Sequence, residues 1–129
     1  MKMRNYLFFL AGFSTLAFAQ APLGNNADQF AQQAGVIAGT AQACGQDVST
    51  FSSRTAEVIG VLTTIPSEQQ AAMTIYEKVL ATSAMNETKN HTMKCSDVLS
   101  AYASLPILKS DYKTTILPQM AKMGTANAS

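Results

Sequence analysis

Five stretches of this chain repeat apolar side chains at steps of three and four, the spacing of one face of an α-helix. The first runs from Ala27 to Gly45, where Phe30, Ala34, Ile37, Ala41 and Cys44 form one stripe. Asn26 is a suitable N-cap, Gln29 can return the capping-box bond, and Asp28 in the first turn suits the helix dipole. Gly45 supplies the C-cap. A second row on the same helix, Ala31, Gly35, Gly39 and Ala43, is small throughout. Such a row lets another helix come close. In lipid it would mark a dimerisation face. The glutamines at 29, 32, 33 and 42 point instead to packing inside a water-exposed bundle.

The second helix starts at Asp47 as cap and carries Val48, Phe51, Thr55, Val58, Leu62 and Ile65 as a bundle-type seam. Pro66 is expected to end it. Ser67 and Gln70 then form a capping box for a third helix from Glu68 to about Asn86, with Ala72, Ile75, Tyr76, Val79, Leu80 and Ser83 inward. The polar run Asn86 to Thr92 fits either a loop or a frayed extension of that helix. Thr92 or Ser96 is expected to cap a fourth helix bearing Cys95, Val98, Leu99, Tyr102 and Leu105, stopped by Pro106. Leu108, Tyr112, Ile116, Met120 and Met123 mark a short fifth helix from about Ser110 to Gly124, kinked or split at Pro118. Neither a repeat nor a strand-like alternation interrupts this pattern.

The expected fold is therefore all-α: an up-down four-helix bundle over residues 26–124 with a short fifth C-terminal helix. Residues 125–129 are expected to be a disordered tail. In an up-down bundle the first helix ends at the pole where the fourth begins, and the two are neighbours. Cys44 ends the first and Cys95 opens the fourth, so the only two cysteines can pair without distortion.

The N-terminus explains why such a bond would form. Lys2 and Arg4 precede an uncharged, mostly apolar run, Tyr6 to Ala19, that closes on Ala17-Phe18-Ala19. This is the layout of a signal peptide, 1–19, cleaved before Gln20; cleavage after Ala21 is the weaker choice because Pro22 follows. The run is shorter than the roughly 20 residues a bilayer span needs. Residues 20–25 read as a flexible lead-in. Two cysteines in an exported chain are most simply one disulfide. Processing would leave 110 of the 129 residues, with seven basic side chains against eight acidic and a net charge of about −1. Such a surface releases few counterions from nucleic acid and offers no polybasic face to anionic lipid. Four of the six phenylalanines belong to the leader and the chain has no tryptophan, so small aliphatic side chains and methionine must build the core.

Little in the sequence points to catalysis. His91, the only histidine, pairs at i, i+4 with Glu87, but two ligands do not make a metal site. No HExxH, CxxC, P-loop or GxSxG pattern is present. Asp28, Asp47, Glu68 and Asp97 sit at helix starts, where capping and the dipole account for them. Asn86, Asn90 and Asn127 open Asn-x-Ser/Thr triplets, which carry meaning only in a glycosylating host. No cofactor is expected. Methionines 73, 85, 93, 120 and 123 are many for the length, and methionine adapts to irregular surfaces. The plainer reading is gap-filling in a core short of aromatics; where a partner is bound, Tyr112, Ile116, Met120 and Met123 are the candidate groove.

The run Ala34-Gly35-x-x-Ala38-Gly39-x-Ala41-x-x-Cys44-Gly45, followed by Cys95-x-x-Val98, resembles a pattern in small exported helical proteins of Gram-negative bacteria. The resemblance covers the first and fourth helices and implies a disulfide-held helical domain. The layout is also similar to that of periplasmic acid-stress chaperones, which implies a holdase. The leading expectation is an exported protein, periplasmic or secreted, that binds a protein or lipid partner without catalysis. An acid-activated holdase is the first alternative, and an envelope hydrolase or hydrolase inhibitor the second.

Overall fold

Alanine and glycine decide what stands at the centre. The computed structural model describes residues 26–128; the expected signal peptide and lead-in, and Ser129, lie outside the described residues. Helix α1 (Asn26–Ala43) buries Ala27, Ala31, Ala34, Ile37, Ala38 and Ala41, and both of its glycines within the helix. The stripe and the small-residue row expected from the sequence both meet neighbours, so α1 is enclosed on most sides rather than on one. Gly45, at φ +91°, ends the turn that follows, a conformation glycine adopts at little cost.

The chain then reverses into α2 (Ser49–Leu62), whose seam residues Phe51, Thr55, Val58 and Leu62 are buried. Asp47 organises its start: the carboxylate accepts the Ser49 N–H at 2.9 Å, which holds Asp47 below its ordinary pKa. Helix α3 (Pro66–Asn90) begins two residues earlier than expected. Pro66 opens α3 instead of closing α2, since proline at the first helical position lacks only an N–H that would be unpaired there. Thr63, not the expected Ser67–Gln70 box, ties this start. Its hydroxyl donates to Glu68 at 2.6 Å and its carbonyl accepts from Gln69 at 2.8 Å.

Helix α3 also runs past its expected end to Asn90, so the polar run after Asn86 is mostly helix. It stops at His91, which takes the left-handed conformation with φ 49°. Helix α4 (Cys95–Ala103) has neither expected cap: Lys94 precedes it, and the Thr92 hydroxyl bonds Glu87 instead. A 3₁₀ turn over Pro106–Leu108 leads to α5 (Tyr112–Ala128). Pro118 lies inside this unbroken helix, which is therefore not split there and continues beyond Gly124 into the expected tail. Among the described residues there is no strand.

Directions follow from the contacts. Gly35 faces Tyr76 and Val79, and Gly39 faces Leu80, Ser83 and Ala84, so α1 and α3 are parallel. Ser52 meets Tyr76 while Thr63 meets Glu68, so α2 is antiparallel to both. The order of neighbours departs from a simple up-down ring, in which the first and third helices lie on a diagonal. Here α1 and α3 are the most extensively packed pair, and α2 packs chiefly on α5. The glycines give the reason. A Cβ at position 39 would lie 2.3 Å from the Leu80 carbonyl oxygen, and one at 35 would lie 2.8 Å from that of Tyr76. Without side chains at these points, the two backbones approach closely enough for dispersion contacts along the whole of α1.

The remaining core is aromatic at one level. Phe51 packs against Tyr76 and Tyr102, with ring centroids 6.4 and 5.7 Å apart, both tilted. The Tyr76 hydroxyl shares a 2.6 Å bond with Ser52. Burial pushes the phenol of Tyr102 up to about 12 and raises that of Tyr76.

Candidate functional site

The four residues expected to line a groove on α5 do not share one environment. Tyr112 is buried, Ile116 and Met120 are half-buried against the core, and Met123 is 47% exposed. Tyr112 is instead the centre of a polar clamp between α2 and the end of the chain. Its hydroxyl donates to the Glu57 carboxylate. The Arg54 guanidinium lies 4.1 Å from the centroid of its ring, a cation–π contact. The same guanidinium donates to the carbonyl oxygens of Ile107 (3.0 Å) and Lys109 (3.1 Å). The bond to Glu57 raises the Tyr112 phenol above its ordinary value, and the carboxylate's charge adds to this. Three backbone and side-chain acceptors thus occupy Arg54 and Tyr112 within the fold.

The sequence marks Tyr112 only as a member of an apolar row, which is why its clamp went unread. Apart from Arg4, Arg54 is the only arginine in the chain, and it shares a helical turn with Glu57. That pairing beside the buried seam was the available signal.

Cys44 and Cys95 are joined, with Cα atoms 5.4 Å apart. The bond ties the end of α1 to the start of α4, at the pole expected from the helix order. It closes a separation of 51 residues. His91 and Glu87 lie near this pole, yet among the described residues no group of three or more His, Cys, Asp or Glu could hold a metal ion.

The opposite pole holds the starts of α1 and α3. Burial pushes the Asp28 carboxyl above its ordinary range, and the Glu68 carboxylate adds to the effect. The Asn26 side-chain amide donates to the Met123 carbonyl at 3.1 Å, which brings α5 to the same pole. Among the described residues three large apolar side chains are prominently exposed: Ile65 (50%), Met85 (57%) and Met123 (47%). Ile65, expected to continue the α2 seam, stands outside that helix because α2 ends at Leu62.

Comparison with protein-family models, with curated proteins and with solved structures finds no match to this chain. Among the described residues no helix is long and apolar enough to cross a membrane.

Proposed function

We propose that this is an exported, non-catalytic helical protein that acts by binding a protein or lipid partner. The observation that carries the reading is the exposure of Ile65, Met85 and Met123 at about half their surface, while other large apolar side chains such as Phe51, Ile59, Tyr76 and Leu105 are buried. Protein and lipid contact surfaces draw on exposed apolar side chains of this kind where they gather into a patch. Export is supported by the disulfide, which persists in oxidising compartments, and by the apolar leader ending in Ala17-Phe18-Ala19. The polar cluster with the most developed geometry, Arg54–Tyr112–Glu57, holds α5 to α2, a structural use that accords with a non-catalytic reading.

Two measurements test this. Fractionation with N-terminal sequencing should find the product outside the cytoplasm, beginning at Gln20. Affinity capture and a lipid-overlay screen with that product should yield a partner of one kind; a clean absence of both removes the binding reading.

A further inference from the structure

Helix α4 is the element that depends most on the disulfide. It has nine residues, and helices shorter than roughly 12–15 residues are marginal on their own in water. No side-chain hydrogen bond caps its start. It buries only Val98 and Tyr102, and its main helical neighbour is α1. The ring of Tyr102 reaches Phe51 on α2, with centroids 5.7 Å apart. The bond from Cys44 to Cys95 fixes the first residue of α4 to the turn after α1.

The chain on either side of α4 is held without that bond. Upstream, α3 runs to Asn90 and keeps its close contact with Gly35 and Gly39 of α1. Downstream, Arg54 donates to the carbonyls of Ile107 and Lys109, and Tyr112 donates to Glu57. The segment between Asn90 and Ile107 is therefore anchored at both ends. Its middle is secured by the buried side chains of Val98, Tyr102 and Leu105 and by one covalent bond. Both cysteines are half-buried, not sealed in the core.

From this placement we infer that the disulfide is a redox latch on α4: a dithiol reductant opens it and releases α4 while α1, α2, α3 and α5 stay assembled. One thiolate of the reductant attacks Sγ of Cys44, and the electron pair of the Cys44–Cys95 bond passes to Sγ of Cys95. Cys95 is the better leaving group because it is the first residue of α4, and a helix N-terminus favours a thiolate. Cys44 follows the negative end of α1. Lys94 and Asp97 offset one another beside Cys95. The second thiol of the reductant then attacks the mixed disulfide and frees Cys44. Two electrons and two protons pass from the dithiol to the two cysteines, and the dithiol leaves as a disulfide. Release of α4 takes Tyr102 off Phe51 and uncovers a ring that the closed form buries. The device needs no partner at the exposed apolar side chains, so it stands or falls apart from the binding reading above.

Hydrogen exchange of the purified protein, read by mass spectrometry, tests this in three states: disulfide intact, reduced by dithiothreitol, and reoxidised. Reduction should quicken exchange by about tenfold or more across residues 96–105. Residues 31–41 of α1, 51–62 of α2 and 70–80 of α3 should stay as protected as before. Reoxidation should restore the protection of 96–105. The double variant Cys44→Ser/Cys95→Ser should match the reduced state with no reductant present. Unchanged exchange in α4 on reduction means that its apolar side chains hold it alone. Loss of protection across α1 and α3 as well means that the bond holds the whole fold. Either result overturns the latch, as does a failure to recover on reoxidation.

Discussion

Replacing Gly39 by alanine adds one methyl group at the tightest point of the α1–α3 contact. Its carbon would lie 2.3 Å from the Leu80 carbonyl oxygen, 2.7 Å from Ser83 Cβ and 2.8 Å from the Ala84 nitrogen. Two of these three are backbone atoms, which cannot turn aside as a flexible side chain could. Ordinary contact begins near 3.4 Å, so the helices must part by about 1 Å. A gap of that size forfeits a quarter to a half of each dispersion contact along the row. Overpacking of this kind costs about 3 kcal/mol at the upper end of its usual range. Alanine returns about 1 kcal/mol of helix propensity. The net effect is a loss of about 2 kcal/mol, or about 10 °C in Tm for a domain of this size. Gly35→Ala meets its nearest atoms at 2.8 Å and should lose about 1 kcal/mol. Gly60→Ala is the control: nothing lies within 4 Å, so propensity alone acts and stability should rise by about 1 kcal/mol. Urea denaturation followed by far-UV circular dichroism should therefore order the midpoints Gly60→Ala, wild type, Gly35→Ala, Gly39→Ala, with a common slope. A Gly39→Ala midpoint at or above wild type would refute the claim that the two backbones meet there.

Four further outcomes are expected. Replacing both Cys44 and Cys95 by serine should cost about 4 kcal/mol, the loop-closure value for a 51-residue separation, and reduction of the wild type should match it in the same urea titration. Thr55 is fully buried and its hydroxyl has no hydrogen-bond partner among the described residues, so Thr55→Val should raise stability by about 1 kcal/mol while Thr55→Ser lowers it; a destabilised valine variant contradicts this. Tyr102 titrates at about 12 in the fold against about 10 when unfolded, so the unfolded chain loses its proton first and stability falls as pH rises from about 10 to about 12; Tyr102→Phe should flatten that part of the profile measured by urea midpoints. Tyr112→Phe keeps the ring under Arg54 and removes the bond to Glu57, so hydrogen exchange should quicken in α5 and stay unchanged in α1.

The helices were legible where side-chain spacing alone fixes them. The α2 seam from Val48 to Leu62, the two rows of α1 and the inward pair Ala72 and Tyr76 are all read directly from steps of three and four. Boundaries were harder because one residue type can serve two roles. Pro66 forbids the end of one helix and suits the start of the next, and only the bonds made by Thr63 decide between them. The end of α3 was ambiguous because residues 86–90 have no apolar face; an exposed extension needs none, as its Thr88 hydroxyl satisfies the Ala84 carbonyl locally. The cysteine pairing followed from helix count and polarity, which survive an error in neighbour order. The neighbour order itself was not legible, because periodicity shows which face is covered and not by which helix. The clamp at Tyr112 was hidden for a related reason: that residue fits an apolar row equally well whether its partner is Arg54 or a ligand.

The enclosure of α1 has a consequence for how this sequence can vary. Its positions 31, 34, 35, 38, 39 and 41 admit almost no side chain larger than the one present, because each touches a neighbour. Across the same contact, α3 has only Ala72 and Tyr76 fully covered and leaves Glu77, Lys78, Ala81 and Thr82 to solvent. A saturation library should therefore split sharply: near-total intolerance on the first helix, wide freedom on the outer side of the helix it embraces. Drift would accumulate on the long helix, and the short alanine–glycine run would stay behind as the recognisable trace of common descent.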